Sequence, residues 1–177
     1  MLGIILETER LILREFKLSD AQKFYELNSD WEVMKYTGEG EFNSVGAAEE
    51  LIRNYSDYEK NGFGRNTVIL KSLGEIIGWC GLKKHADGMI DLGYRLFKKD
   101  WNKGYAAESS RAIIGFGFLN YEIEEIVGRA DEKNIASIRV LEKVGMKFWK
   151  KESCEGIEGS LYYRINQKEW QRINKEL

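Results

Sequence analysis

The chain has 177 residues, 43% hydrophobic and 32% charged, which suits one domain with a continuous core, residues 1–177, and leaves too little for two. A formal net charge of −2 excludes a protein-wide positive field of the kind that draws nucleic acid or an anionic membrane, and leaves a cationic or small neutral partner. Two distant cysteines, Cys80 and Cys154, and a single histidine, His85, cannot make a zinc cluster, so no metal is expected and both thiols read as fillers. The first residues are acidic where a signal peptide needs a basic start, and no apolar run approaches the roughly 18 residues of a membrane span. A cytoplasmic protein with no membrane partner is expected.

In chain order, TERLILREF alternates apolar and polar residues and predicts an opening strand, with Leu11 and Leu13 inward. SDAQKFYEL predicts a short helix whose start carries Ser19 and Gln22 at capping-box spacing. NSDWEVMKYTGEGEF is turn-rich, and its rings Trp31, Tyr36 and Phe42 suit either a site wall or the edge of the core. Residues 44–60 repeat apolar positions at helical spacing until NGFG stops them. Three strands follow, GRNTVILK, GEIIGWCGLKK and GMIDLGYRLF. The last two are joined through Asp87-Gly88, a tight-turn signal that places His85 in a solvated hairpin. GYAAESSRAIIGFGFLNY then reads as a helix and EEIVGRAD as a strand. NIASIRVLEKV reads as a second helix capped by Asn134, and GMKFWKK and GSLYYRIN as closing strands. Asn166 and Glu169 start a terminal helix. Strand, helix, strand, helix in succession demands a parallel crossover, so an α+β domain with a mixed, mostly antiparallel central sheet of about seven strands flanked by helices is expected.

The junction KKDWNKGYAAESS, residues 98–110, gathers small residues between a strand and a helix. The first turn of a helix carries backbone N–H groups without intrahelical partners and the positive end of the peptide dipoles. Phosphate oxygens reach those groups when no side chain intervenes, as Gly104 and Ala106 allow, while Asn102 and Lys103 add donors. The same stretch also serves as a plain tight connection. Gly115 and Gly117, deep inside the helical run, read as close packing.

WNKGYA resembles the phosphate loop of the GNAT superfamily of acetyl-CoA-dependent N-acetyltransferases, with Trp101 where the family carries a polar residue. Together with the opening ETERLILREFKLSDAQKFYEL, IDLGYRL before the loop and ADEKNIASIRVLEKVGMKF after the helix, it resembles the subgroup that acetylates ribosomal-protein N-termini at alanine or serine. The resemblance implies an N-acetyltransferase in which a primary amine, of a peptide N-terminus or a small molecule, attacks acetyl-CoA directly in a ternary complex. The alternative is a non-catalytic acyl-CoA-binding module on the same fold. The resemblance also implies that backbone around Leu96, Phe97 and Lys98 meets the pantetheine arm where two strands splay. An N–H of Leu96 or Phe97 would stabilise the oxyanion, and Tyr105 sits beside the diphosphate. Asp91 stands where the family often has a glutamate base, and it equally suits a plain pair with Arg95 on the same strand face. Leu141 occupies the position of the family's tyrosine acid; the subgroup resemblance implies that Ser137 serves instead in protonating the thiolate and that Asn134 bonds the pantetheine amide or holds a water, while the two residues equally suit a helix cap and a first-turn hydroxyl. Trp31 and Tyr36, with Glu39 and Glu41, are expected to form the acceptor pocket. A homodimer is compatible with this reading.

Overall fold

Leu11 and Leu13 alternate with polar neighbours and are both fully buried, so the strand Leu11–Arg14 turns one face to the core as its pattern predicts. In a computed structural model, which describes residues 3–154 and 157–175, this strand is the second of eight. They are β1 (Ile4–Glu7), β2 (Leu11–Arg14), β3 (Arg65–Leu70), β4 (Glu75–Lys84), β5 (Ile90–Leu96), β6 (Glu125–Asp131), β7 (Lys147–Cys154) and β8 (Ile157–Asn166). The side chain of Cys154 lies outside what is described. The sheet order is β1-β2-β3-β4-β5-β6-β8-β7, antiparallel throughout except where β5 meets β6. The eighth strand, against about seven expected, is β1. Its short run IILE is too brief to show a period and is recruited by pairing with β2.

Helices cover both faces. The long helix α5 (Tyr105–Asn120) makes the crossover from β5 to β6, and α6 (Ile135–Lys143) follows β6. Between them and the sheet lies the main core, with Leu82, Leu92, Ile113, Ile114, Ile126 and Ile165 among its buried members. The terminal helix α7 (Gln167–Lys175) lies on the same side, its Trp170 ring 5.7 Å from Phe118 of α5. Asn166 and Glu169 form its capping box: the Glu169 N–H donates to Asn166 Oδ1 at 2.9 Å and the Asn166 N–H to Glu169 Oε2 at 3.2 Å. On the opposite face α1 (Ala21–Asn28), the single turn α2 (Trp31–Met34), α3 (Val45–Arg53) and α4 (Asp57–Asn61) surround a smaller core of Phe24, Leu27, Ala48 and Trp79.

The chain departs from its sequence reading at four places on this side. The capping carboxylate stands in the turn ahead of α1, where Asp20 closes the 3-10 turn Leu18–Asp20 by accepting from the Lys17 N–H at 3.0 Å, in place of the expected Ser19/Gln22 pair. The helix expected over residues 44–60 breaks after Arg53. The intervening Tyr55 uses its hydroxyl to accept from the Arg65 N–H at 2.6 Å while its ring packs 4.9 Å from Phe16, and both contacts need the chain to turn. Residues 31–34 coil into α2 because Asp30 caps the Glu32 N–H at 2.9 Å. His85 is not solvated: it is folded back against Asp91 and Arg129. Gly62 ends α4 in the left-handed region, φ 78°, as NGFG predicts.

Arg14 and Asp20 form a buried bidentate pair, both contacts 2.7 Å, and Thr67 Oγ1 donates to the same carboxylate at 2.8 Å. Burial by itself pushes the Asp20 carboxyl up, but the bonds from Arg14, the Lys17 N–H and Thr67 outweigh it and hold the group below its ordinary value. A depressed folded pKa contributes stability that is present above the unfolded value and lost as pH falls through the folded one. We expect Asp20→Ala, which strands a buried guanidinium, to cost about 3–5 kcal/mol in urea unfolding at neutral pH. The loss relative to the parent chain should shrink on acidification.

Candidate active site

β5 and β6 pair in parallel only at Asp91/Val127 and Leu92/Gly128, and then part. α5 crosses over the face of β4 and β5, and beyond Leu92 the twist of neighbouring strands parts β6 from β5, so the β5 backbone has no strand beside it on that side. On the other side β5 stays paired with β4 to Leu96. The Phe97 N–H donates to Ile77 O at 3.0 Å. Antiparallel pairs alternate the edge to which their N–H groups point, so the Tyr94 and Leu96 N–H groups face the gap. Of the two donors expected for an oxyanion, Phe97 is therefore consumed by the sheet and Leu96 is presented. A bulge in β4 fixes this register: Gly78 sits at φ 145°, where a Cβ would fall 2.0 Å from the Arg95 carbonyl.

The gap opens into a cavity of about 610 Å³. One wall is the start of α5. Gly104 is its N-cap at φ 83°, preceded by Asn102 at φ 59°, and no side chain caps the helix. The first bond into the helix body runs from the Glu108 N–H to Gly104 O at 3.0 Å, so the N–H groups of Tyr105, Ala106 and Ala107 have no intrahelical acceptor. All four residues line the cavity, with Asn102 beside them and Lys133, Arg139 and Lys143 of the α6 segment around them.

This wall is braced from the far end of the chain. Glu108 accepts from Thr8 Oγ1 at 2.6 Å and the Arg10 N–H at 3.0 Å, and it pairs with the Arg10 guanidinium at 2.6 Å. Arg10 also donates to Lys103 O at 3.1 Å and stacks 4.5 Å over Tyr105. Burial works to raise the Glu108 carboxyl, yet the bonds from Thr8 and Arg10 hold it low, so it stays anionic beside the helix dipole.

Across the gap, Tyr94 Oη lies 2.8 Å from Ser137 Oγ, and the hydroxyl pair faces the cavity. Burial raises the Tyr94 phenol far above its ordinary value despite the Ser137 bond, so it stays protonated at neutral pH. Asn134 caps α6 by accepting from the Ser137 N–H at 3.1 Å, which fixes the serine's position. Leu141 is 1% exposed and packs toward Gly128, so this helix turns that position into the core. Behind the wall Cys80 is fully buried, its thiol pushed up to about 11 by that burial, and it is inert packing.

Of the residues singled out in the sequence, Tyr36, Leu96, Asn102, Gly104, Tyr105, Ala106, Asn134 and Ser137 meet in this cavity. Seven do not line it. Trp31 is 63% exposed, under Lys35. Phe97 packs in the smaller core, and Lys98 is held by Glu32 at 2.6 Å. Lys103 turns its ammonium 3.3 Å from Asp100. Asp91 is 6% exposed and paired with Arg129 at 3.2 Å, not with Arg95. Glu39 binds Arg95 at 2.9 Å, and Glu41 is exposed away from the cavity. Arg95, Val33, Thr37 and the cations of α6 are wall residues that no motif announced. Strand alternation from Gly93 could have placed Arg95, but nothing local marks the others.

Among the described residues no group of His, Cys, Asp or Glu could hold a metal, and no helix is long and apolar enough to cross a membrane. The family model described as "Acetyltransferase (GNAT) domain" matches residues 10–147. An uncharacterized N-acetyltransferase of Bacillus subtilis, YnaD, is 34% identical over 169 residues, 92% of this chain and 97% of that protein. Among solved structures, a GNAT-family acetyltransferase from Bacillus anthracis superposes with TM-score 0.79 at 29% identity, covering 92% of this chain and 98% of that one. A spermidine N-acetyltransferase from Vibrio cholerae, in complex with CoA and spermine, shares the fold with TM-score 0.78 at 18% identity, over 93% and 99% of the two chains. The eight-stranded sheet, the uncapped helix at Gly104 and these matches agree: the chain belongs to the GNAT acetyltransferase family.

Proposed function

We propose that the protein transfers the acetyl group of acetyl-CoA to a primary amine, with both substrates held in the cavity between β5 and β6. The observation that carries this reading is the unblocked first turn of α5, opening onto the gap beside an unpaired strand edge. The fit to coenzyme A rests on chemistry present in the chain. Three N–H donors without acceptors, a glycine where a side chain would crowd Arg10, and the flanking Asn102, Lys133, Arg139 and Lys143 suit a diphosphate and a further phosphate. Bound there, the thioester supplies an activated acyl group that a neutral amine can attack without a covalent enzyme intermediate.

The chain's own groups then have distinct tasks. The Leu96 N–H donates to the carbonyl oxygen as it gains negative charge. Confinement between the Tyr36/Thr37 wall and β5 aligns the amine and removes most of the entropic cost of a bimolecular encounter. The departing sulfur takes a proton from the Ser137 hydroxyl, Ser137 is resupplied by Tyr94 at 2.8 Å, and the proton that the attacking nitrogen sheds on becoming an amide restores Tyr94 through the solvent of the open cavity. An alkyl ammonium, with pKa about 10, must first lose a proton. Because Asp91 is buried against Arg129, we place that proton's exit in the solvent of the open cavity. Leu141, which pointed to a non-catalytic binding module, carries no such weight once Tyr94 and Ser137 stand together.

Coenzyme A is expected to bind in calorimetry. Gly104→Val should weaken it at least about tenfold, because a branched residue is strained at positive φ and covers the N–H groups. Unchanged affinity would remove the cradle. With acetyl-CoA and a panel of polyamines, amino acids and peptides beginning with Ser or Ala, thiol release should follow amine addition. Binding without release from any member would make the protein a sensor module. In the best pair, Ser137→Ala should lower kcat about 10²-fold and Tyr94→Phe less, with the KM for acetyl-CoA little altered.

A further inference from the structure

On the face of the sheet away from α5, Trp79 carries two guanidinium groups. Arg65 lies 4.4 Å from the ring centroid and Arg95 5.3 Å. Arg95 is satisfied by Asn28 and Glu39. Arg65 is half-buried, its Nε is buried without a hydrogen-bond partner, and no carboxylate lies within ion-pair distance of it among the described residues. Lys83, two rungs along β4 from Gly81, likewise has no carboxylate partner among the described residues. Both cations flank a row in which Arg65, Gly81 and Gly93 are cross-strand neighbours. The Gly64–Arg65 backbone closes over Gly81, whereas the missing side chain at Gly93 leaves room for the Trp79 ring, 3.2 Å from where a Cβ would stand, and for Arg65, whose Nε is 3.6 Å from that point.

This row adjoins the reacting gap. Gly93 precedes Tyr94, and Arg95, one position further, lines the cavity itself with Tyr36 and Thr37. The charge balance is lopsided: Arg65, Arg95 and Lys83 all act on one carboxylate, Glu39, while Asp91 is already neutralised by Arg129. An Nε kept from water without an acceptor is costly, and the planar donor pair of a guanidinium matches a carboxylate. A polycation at this spot would meet repulsion from Arg65 and Lys83.

We propose that the acceptor is a primary amine that also carries a carboxylate, an amino acid or short peptide, whose carboxylate is received by Arg65 with help from Lys83 while its amine points through the gap toward Leu96. This deepens the acetyl-transfer reading of the same cavity and rests on it. The observation specific to it is that Arg65, with no carboxylate within ion-pair distance among the described residues, reaches from β3 to Gly93, the residue before the wall residue Tyr94.

The test uses the full chain with acetyl-CoA and a set of amino acids and dipeptides, each compared with its own C-terminal amide, and spermidine as the polycation. The acid member of each productive pair should be preferred at least about tenfold in kcat/KM, and spermidine should be the poorest acceptor. Arg65→Gln should bring the acid-to-amide ratio close to one, chiefly by raising KM for the acid, with the KM for acetyl-CoA unmoved. Lys83→Gln should do the same to a smaller extent and, lying at the strand's end, provides a second variant if Arg65→Gln unfolds at a lower temperature. Amides or spermidine serving as well as the acids would overturn the proposal. So would an Arg65→Gln effect equal on both members, or no member serving at all. Calorimetry with coenzyme A, run alongside, shows whether the cofactor half of the site survives that outcome.

Discussion

The site depends on a hydrogen-bond ladder that stops. β5 and β6 are joined at two residue pairs only, and beyond them a strand in the middle of the sheet has one edge without a strand beside it. Such an edge is costly when dry and an aggregation hazard when exposed, and this fold manages it by placing it inside a cavity. Every feature of the candidate active site is arranged around that break. α5 begins on one side of it, Tyr94 and Ser137 bridge it, and Arg95 closes it on the other face of the sheet.

The two halves of the cavity differ in how they are made. The half beside α5 is built from backbone, and its chemistry follows from a helix that begins with a glycine and offers N–H groups to whatever anion arrives. The half beside α2 is built from side chains of separate segments. Arg95 reaches Asn28 and Glu39, and Trp79 lies between Arg65 and Arg95.

That division also explains what could be read in the sequence. Strands with clean alternation, such as Leu11–Arg14, and helices with capping pairs, such as Asn166/Glu169, are local matters and were legible. So was the helix start at Gly104, because small residues before a helix are a statement about adjacent positions. The strand Ile4–Glu7 was not, since four residues show no period and only a neighbour's free edge recruits them. Asp91 and Arg95 share a strand face, yet their partners come from other segments: Arg129 for one, Asn28 and Glu39 for the other. Trp31 and Lys98 are near the cavity in sequence but turn from it, one outward and one to Glu32. Side-chain aim at the join of four segments is a tertiary property, and no spacing rule carries it.

The brace between the β1–β2 turn and α5 has a consequence for the order of events in synthesis. Arg10 and Glu108 are separated by 98 positions, and Thr8 and Glu108 by 100. An early segment must wait, unsatisfied, until most of the chain has left the ribosome before this brace can close. A nascent chain that ends before Glu108 lacks the carboxylate on which Thr8 and Arg10 converge, and the start of α5 goes unbraced until that residue emerges.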